Sequence, residues 1–450
     1  MGLAFLQGRA STRATVTLAI LCSIVMVVDS IFVSIILSVG QDSDVLVNSV
    51  LFISFVAFFI VCNHSFLRYT RIDYSSIRSN SLSRIDFSML IVTVSQIVIS
   101  SLLIFLAIQI LVFSSYYLLV VTLIIYISHI SAIVFTTLLA YQFVAWFSST
   151  KNYLILLYAF GFSIITITLI LSAFYLETQI SYADPLVTHM SIDRAVTEYS
   201  SLGSSLTVLA TVHTYASIAS FVTIWIPTAL LLRTHYARRL LYWCVVLVPL
   251  VFFLLPFISS ELGIFDMMFL QYGKQFSLIY YVIFSPYQQL GGLLFGIAFW
   301  LSARKIRRKN LKTLVNITGI GISLLFGSVV IHGLSYVVSP PFGLVTVSFM
   351  TIASYMLFVG IYRSAKELTS DATIRREIYK IAGQEFSLLR HIGLAELNST
   401  VKARVDPIIE KIAIQEGSQV QEEMDESDYK KFIAEALHEL RDRKRLRDTG

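Results

Sequence analysis

Charged residues are scarce in this sequence. Asp, Glu, Lys and Arg make up 14% of its 450 residues, whereas about a quarter of the residues in soluble domains are charged. Hydrophobic residues make up 56%, and the mean hydropathy is +0.75. A soluble fold of this length would need far more charged surface to cover its apolar residues. The composition therefore excludes a soluble globular protein and predicts one that is solvated by lipid.

Cysteine is also rare, and motifs for cofactors are absent. Cys22, Cys62 and Cys244 all lie within apolar segments, so we expect no disulfide framework. The sequence has no GxxxxGK[ST] phosphate loop and no HExxH zinc pair. We predict no cofactor, no metal and no catalytic residue. The first apolar run lacks a small-residue cleavage site, which indicates a retained span and not a signal peptide.

Long apolar runs recur along the first 362 residues. A helix needs about 20 apolar residues to cross a hydrocarbon core of ~30 Å, and its backbone groups must bond to one another there. We predict an all-α polytopic transmembrane helix bundle of about ten spans. The spans lie near residues 14–39, 46–67, 86–113, 116–147, 152–176, 203–232, 240–258, 276–303, 313–337 and 343–362.

Lys and Arg lie almost entirely on one side of these spans. The other side receives only Arg194 and Lys274. Because cytoplasmic loops hold the excess of basic residues, both termini are predicted to be cytoplasmic. The basic residues lie in short loops between apolar runs, so the expected partner is the lipid bilayer and not nucleic acid. The sixteen basic residues of the predicted cytoplasmic side are Arg9, Arg13, Arg68, Arg71, Arg78, Arg84, Lys151, Arg233, Arg238, Arg239, Arg304, Lys305, Arg307, Arg308, Lys309 and Lys312.

This orientation predicts opposite labelling of two loops. Single cysteines placed at Ser75 and Ser191, in a background without native cysteines, should differ in their reaction with a membrane-impermeant thiol reagent. We expect residue 191 to react in intact cells and residue 75 only after lysis, because the basic residues place Ser75 inside. Labelling of both positions from outside would contradict the ten-span topology.

Charge is concentrated at the end of the chain. Residues 363–450 hold 33 of the 62 charged side chains, which divides the chain into a membrane domain (1–362) and a cytoplasmic tail. Apolar residues recur at helical spacing over 363–415 and over 427–450, where the helix has a basic end, and an acidic linker (416–426) separates them. These stripes are too short to span a membrane. They should pack on each other, on a second copy or on a cytoplasmic partner.

Three ionisable residues lie deep within the predicted spans. Asp29 is the acidic residue near the middle of span one, and His129 and His213 lie inside spans four and six. Burying an unpaired carboxylate at this depth costs several kcal/mol of free energy. Asp29 should therefore be protonated, face a polar cavity or bond to a neighbouring helix. The histidines are candidates for a proton path or metal site with Asp29. Interhelical hydrogen bonding is the alternative.

Span eight contains a cluster of residues that disfavour a regular helix. Pro286 lacks a backbone donor, and Gly291 and Gly292 loosen the following turn. Gln288 and Gln289 lie at the same depth and can satisfy freed backbone groups or bind a polar solute. Transporters often place their sites at such broken helices. The alternative is a kinked packing helix.

Two outer segments are long enough to be more than turns. Residues 177–202 and 259–275 both contain acidic side chains. We interpret them as solvated acidic loops, with a lid over a small ligand as the alternative.

The junction of the last span and the tail has a recognisable pattern. It reads GIYRSA at 360–365, IRR at 374–376 and LLRHIG at 388–393, with Glu385 between the last two. This pattern resembles a set of uncharacterised multi-pass membrane proteins of ammonia-oxidising archaea, whose last span continues into a similar basic helix. The resemblance implies this architecture and an archaeal plasma membrane. It implies no activity and no site residues.

Two functions are consistent with these features. A membrane sensor or signalling anchor would explain the long charged tail, which a simple carrier does not need. A secondary transporter of a small solute or ion would explain Asp29, the two histidines and the broken span. An intramembrane enzyme is a third, less favoured hypothesis, because no catalytic motif is present.

Overall fold

The computed structural model describes residues 12–39, 45–71, 82–180, 186–187, 203–233, 239–284, 286–306, 308–329, 340–370, 388–389 and 391–399. The helices are α1 (Thr12–Val39), α2 (Val45–Arg71), α3 (Leu82–Phe113), α4 (Leu118–Thr150), α5 (Tyr153–Ile180), α6 (Gly203–Arg233), α7 (Arg239–Glu261), α8 (Ile264–Phe284), α9 (Tyr287–Lys305), α10 (Lys309–Ser328), α11 (Leu344–Ser348) and α12 (Met350–Ser370). Two short strands, β1 (Tyr116–Tyr117) and β2 (Leu186–Val187), pair antiparallel.

Ten helical segments of the described residues are long and apolar enough to cross a membrane. They follow the order of the ten predicted spans, which confirms the all-α polytopic bundle. The eighth segment joins the end of α8 to α9 (Leu278–Lys305), and the tenth joins α11 to α12 (Leu344–Thr369). The protein is an integral, multi-pass membrane protein.

Two segments, α10 and α11–α12, form the centre of the bundle. In an apolar stretch of 18 residues of each, 94% of the residues are buried, whereas only 17% are buried in such a stretch of α7. Large aliphatic side chains are exposed along the outer helices, as with Leu111 and Leu119. Lipid tails solvate such side chains as well as a protein core does. The most buried helices are therefore where polar groups depend on protein partners.

Glycines permit close contact between the central helices. A β-carbon on Gly296 would lie 2.8 Å from the carbonyl oxygen of Gly319, and one on Gly321 would lie 2.8 Å from the Cα of Leu357. Close backbone approach of this kind drives helix association in membranes, where apolar burial alone gives little. Gly319 and Gly321 of α10 therefore serve close packing against α9 and α12.

The segment predicted as the second outer loop is largely helical. α8 begins at Ile264, whereas the sequence placed the start of span eight at 276. The apolar side chains that follow Ile264 continue the helix, and Gly273 interrupts it. At φ 64° and ψ −149°, Gly273 has a conformation that other residues avoid. Of the first outer segment, the structure describes only 177–180 and 186–187 before α6.

A part of the predicted tail contacts the membrane domain. The structure describes 388–389 and 391–399 as helical, and Leu388, Leu389, Ile392 and Ala395 are buried. We call residues 388–389 and 391–397 the docking segment; it belongs to the compact unit Met1–Leu397. Its apolar stripe packs on the membrane domain, a surface that the sequence did not suggest. The linker 416–426 and the helix predicted over 427–450 lie outside the described residues.

Candidate functional site

Asp29 caps the short helix α11. Its Oδ1 accepts a hydrogen bond from the backbone N–H of Gly343 (3.0 Å), and its Oδ2 accepts one from the Thr346 hydroxyl (2.6 Å). Gly343 is the N-cap residue, and its φ of 88° turns the chain into the helix. Helix N-termini have unpaired N–H groups and a partial positive charge, both of which favour a carboxylate. Asp29 is only 1% exposed, so its polar partners are these protein groups.

Ser30, the residue after Asp29, contacts α9, the second helix of span eight. Gln289 donates from Nε2 to the Ser30 hydroxyl (2.7 Å) and lies 3.4 Å from the carbonyl oxygen of Gly327. Successive residues of α1 therefore hold two different elements, α11 through Asp29 and α9 through Ser30. The structure brings Asp29 and Gln289 together in this indirect way.

His129 joins α4 to α5. Its Nδ1 lies 2.9 Å from the carbonyl oxygen of Ile125, and its Nε2 lies 3.0 Å from the Ser172 hydroxyl. A carbonyl oxygen only accepts, so in the neutral ring Nδ1 bears the proton and Nε2 accepts from Ser172. Both ring nitrogens are thus satisfied. This is the interhelical hydrogen bond that the sequence left open as an alternative.

His213 lies near His129 but has different partners. Its ring stacks on Tyr175 of α5, with centroids 6.2 Å apart and an interplanar angle of 12°. The buried Nε2 of His213 has no hydrogen-bond partner among the described residues. Within the described chain, no group of three His, Cys, Asp or Glu side chains could hold a metal ion.

The helix boundary in span eight falls at Pro286. α8 ends at Phe284, and α9 begins at Tyr287 with Pro286 as its N-cap residue. Gly291 and Gly292 lie inside α9 and not in the break. A β-carbon on Gly291 would overlap the ring of Phe221, and one on Gly292 would lie 2.6 Å from the carbonyl oxygen of Ser323. These glycines therefore serve close helix packing.

Gln288 faces a cavity between α5, α6, α7, α9 and α10. The cavity is small and partly open. Its walls are mostly apolar, and its polar side chains are Thr168, Ser217, Ser220 and Gln288. Gln288 is 7% exposed. Of the five sequence-predicted polar residues, only Gln288 lines this cavity, so it does not join Asp29 to the histidines.

The docking segment supplies a buried carboxylate that sequence reasoning missed. Glu396 is 8% exposed. Its Oε2 accepts hydrogen bonds from the indole N–H of Trp146 (3.0 Å) and from Nε2 of Gln142 (3.3 Å), both near the end of α4. Gln142 and Trp146 are four residues apart and so share a helix face. That spacing was visible in the sequence, but their pairing with a residue about 250 positions later was not.

Comparison with known proteins gives no relative from which a role could be transferred. No family model matches the chain, and neither a curated protein nor a solved structure is significantly similar to it. The roles of these residues therefore rest on their geometry.

Proposed function

We propose that this protein is a membrane sensor or signalling anchor whose helical bundle controls the position of its cytoplasmic tail. The observation that supports this best is the buried Glu396 carboxylate on the indole of Trp146. A carboxylate loses favourable hydration when it is buried, so it is stable there only while its donors stay in place. A small displacement of α4 would remove those donors and favour release of the docking segment.

A second contact links the docking segment to α12. A β-carbon on Gly393 would lie 2.9 Å from Cβ of Leu368, so the two backbones approach closely at this position. The Ser149 hydroxyl of α4 also lies 3.4 Å from the carbonyl oxygen of Ala395. The docking segment therefore contacts both α4 and α12, and α12 is one of the most buried helices of the bundle. Movement inside the bundle can reach the tail through these contacts.

The location of the protein is part of the proposal. We place it in the plasma membrane with both termini cytoplasmic, on the basis of the sixteen-to-two distribution of basic residues. The resemblance of residues 360–393 to archaeal membrane proteins supports an archaeal source. The docking segment contacts Ser149 near the end of α4, and the same distribution assigns Lys151, two residues further along the chain, to the cytoplasm.

Disulfide crosslinking tests whether Glu396 holds the docking segment. Ser149→Cys and Ala395→Cys, in a background without Cys22, Cys62 and Cys244, should crosslink rapidly in membranes. Adding Glu396→Leu should slow crosslinking about tenfold or more, because the loss of a charged acceptor leaves the Trp146 N–H buried without a partner, at about 1–3 kcal/mol.

The matched control for this experiment is Glu261→Leu. Glu261 is a carboxylate at the end of α7 and is exposed, and the charge distribution places it on the opposite side of the membrane. Glu261→Leu should leave the rate of crosslinking between residues 149 and 395 unchanged. Equal rates with and without Glu396→Leu would show that this carboxylate does not hold the segment, and the sensor proposal would lose its main support.

A secondary transporter is the second candidate function. The helix boundary at Pro286 and the buried amides of Gln288 and Gln289 favour it, since transporters place solute sites at interrupted helices. Deletion of residues 416–450 separates the two functions. A sensor should keep a folded membrane domain and lose its response, whereas a carrier should keep nearly all of its flux.

A further inference from the structure

The cavity beside Gln288 has unused hydrogen-bond acceptors. Oε1 of Gln288 is buried and accepts no hydrogen bond from a described residue. The Thr168 hydroxyl donates to the carbonyl oxygen of Ile164 (2.9 Å), and the Ser220 hydroxyl donates to that of Ser217 (2.8 Å). Each hydroxyl has thus committed its hydrogen while its oxygen can still accept. An occupant with a donor can therefore satisfy these acceptors, above all the buried amide oxygen of Gln288.

The remaining wall of the cavity determines the rest of the occupant's chemistry. The described residues that line it include no charged side chain. A charged occupant would lack a counter-charge in a medium of low dielectric constant, which excludes an ion. Phe221 and Phe253, whose rings stack with centroids 3.7 Å apart, supply part of the apolar wall. Ligand sites usually combine such an apolar wall with a few polar groups.

We propose that this cavity binds a small uncharged molecule with an apolar body and one O–H or N–H donor, and that the donor bonds to the Gln288 amide oxygen. The binding itself goes beyond the proposed function. Its use as the signal that moves the docking segment rests on that function. Gln288 is the specificity-determining residue of the site, because its buried oxygen stays unsatisfied unless the occupant brings a hydrogen.

A pair of fluorinated probes tests the requirement for a donor. Purified full-length protein in lipid nanodiscs is titrated with 2,2,2-trifluoroethanol and with 2,2,2-trifluoroethyl methyl ether, which has no donor. Fluorine NMR relaxation, corrected with empty nanodiscs, measures binding. We expect saturable binding of the alcohol and about tenfold weaker binding of the ether, the effect of one lost hydrogen bond. Absence of saturable binding of the alcohol, as for a cavity filled only by water, overturns the proposal.

Three variants locate the bound probe. Gln288→Leu should weaken alcohol binding about tenfold, because the change removes the amide group whose oxygen accepts from the alcohol. It should leave ether binding nearly unchanged, because the ether has no hydrogen to donate to that oxygen. Ser217→Leu should abolish binding of both probes by filling the cavity. The matched control is Gln96→Leu, since Gln96 is another buried amide without a partner among the described residues and does not line the cavity. Wild-type affinity for the alcohol in the folded Gln288→Leu or Ser217→Leu variant overturns the site. If Gln288→Leu fails to fold, two measurements still test the site. They are the difference between alcohol and ether binding to the wild-type protein and the loss of both in Ser217→Leu.

The role of the site in signalling has a separate measurement. The Ser149→Cys, Ala395→Cys protein is crosslinked with and without saturating trifluoroethanol. A changed rate that disappears with Ser217→Leu supports the cavity as the signal input. Saturable binding with an unchanged crosslinking rate overturns that role and counts against the proposed function, while the binding site stands. If the wild-type protein does not bind the alcohol saturably, the site is overturned. The effect of Glu396→Leu on the crosslinking rate then still tests the proposed function.

Discussion

Asp29→Leu should strongly destabilise the membrane domain. The change leaves the Gly343 N–H and the Thr346 hydroxyl buried without their acceptor. Each unsatisfied donor costs about 1–3 kcal/mol, so we expect the free energy of unfolding to fall by about 2–6 kcal/mol. Steric trapping in bicelles can measure this change at constant temperature. The loss should be accompanied by fraying of α11, because Asp29 is the group that caps it.

Two further substitutions separate the cap from the general effect of a polar-to-apolar change. Asp29→Asn keeps one carbonyl oxygen and nearly the same volume, so it should cost less than Asp29→Leu. Ser23→Ala on the same helix is the control, because among the described residues the Ser23 hydroxyl bonds only within α1, to the carbonyl oxygen of Ala19 (3.1 Å). It should change stability by less than about 1 kcal/mol. If Asp29→Leu unfolded like the wild type, Asp29 would not be a structural cap, and a role in transport would regain support.

Gly321→Ala should have the second large effect, although it adds only one methyl group. That methyl group would lie 2.8 Å from the Cα of Leu357 and 2.9 Å from the carbonyl oxygen of Ala353. Both are backbone atoms, so α10 and α12 must move apart. Overpacking costs about 1–3 kcal/mol in ordinary cores. We expect the free energy of unfolding to fall by about 3 kcal/mol or more, because two rigid helices must shift. The free energy of unfolding in bicelles again provides the measurement.

Gly161→Ala is the matched control for this change. Its added methyl group would meet the side-chain end of Ile224 at 2.5 Å. That side chain can rotate away, so the loss should stay below about 1.5 kcal/mol. Similar losses for Gly161→Ala and Gly321→Ala would show that the α10–α12 contact is less rigid than the structure indicates.

The placement of polar residues in the spans could be predicted only in part. Their positions within apolar spans marked Asp29, His129 and Gln289 as groups that need hydrogen-bond partners. Their partners, Thr346, Ser172 and Ser30, are common hydroxyl residues that nothing in the sequence distinguishes from the many others in the spans. A hydrogen bond between helices depends on their relative rotation and depth. Neither quantity is encoded in a local pattern.

The docking segment shows the same limit more clearly. Its apolar stripe was evident from helical spacing, and the sequence predicted that the stripe would be buried. It did not indicate the surface, because an amphipathic face fits any apolar partner of similar shape. Glu396 resembled an ordinary solvated carboxylate of a charged tail until the structure placed it against Trp146.

The sequence by itself determined the class of the protein and the number and order of its spans. These follow from the cost of placing polar backbone and charge in lipid, which is local and applies residue by residue. Tertiary structure alone decided that Asp29 caps α11, that Gln288 faces a cavity apart from the histidines, and that Glu396 docks on α4. Those outcomes depend on contacts between residues up to about 300 positions apart, as for Asp29 and Thr346. Such contacts arise only when the helices pack.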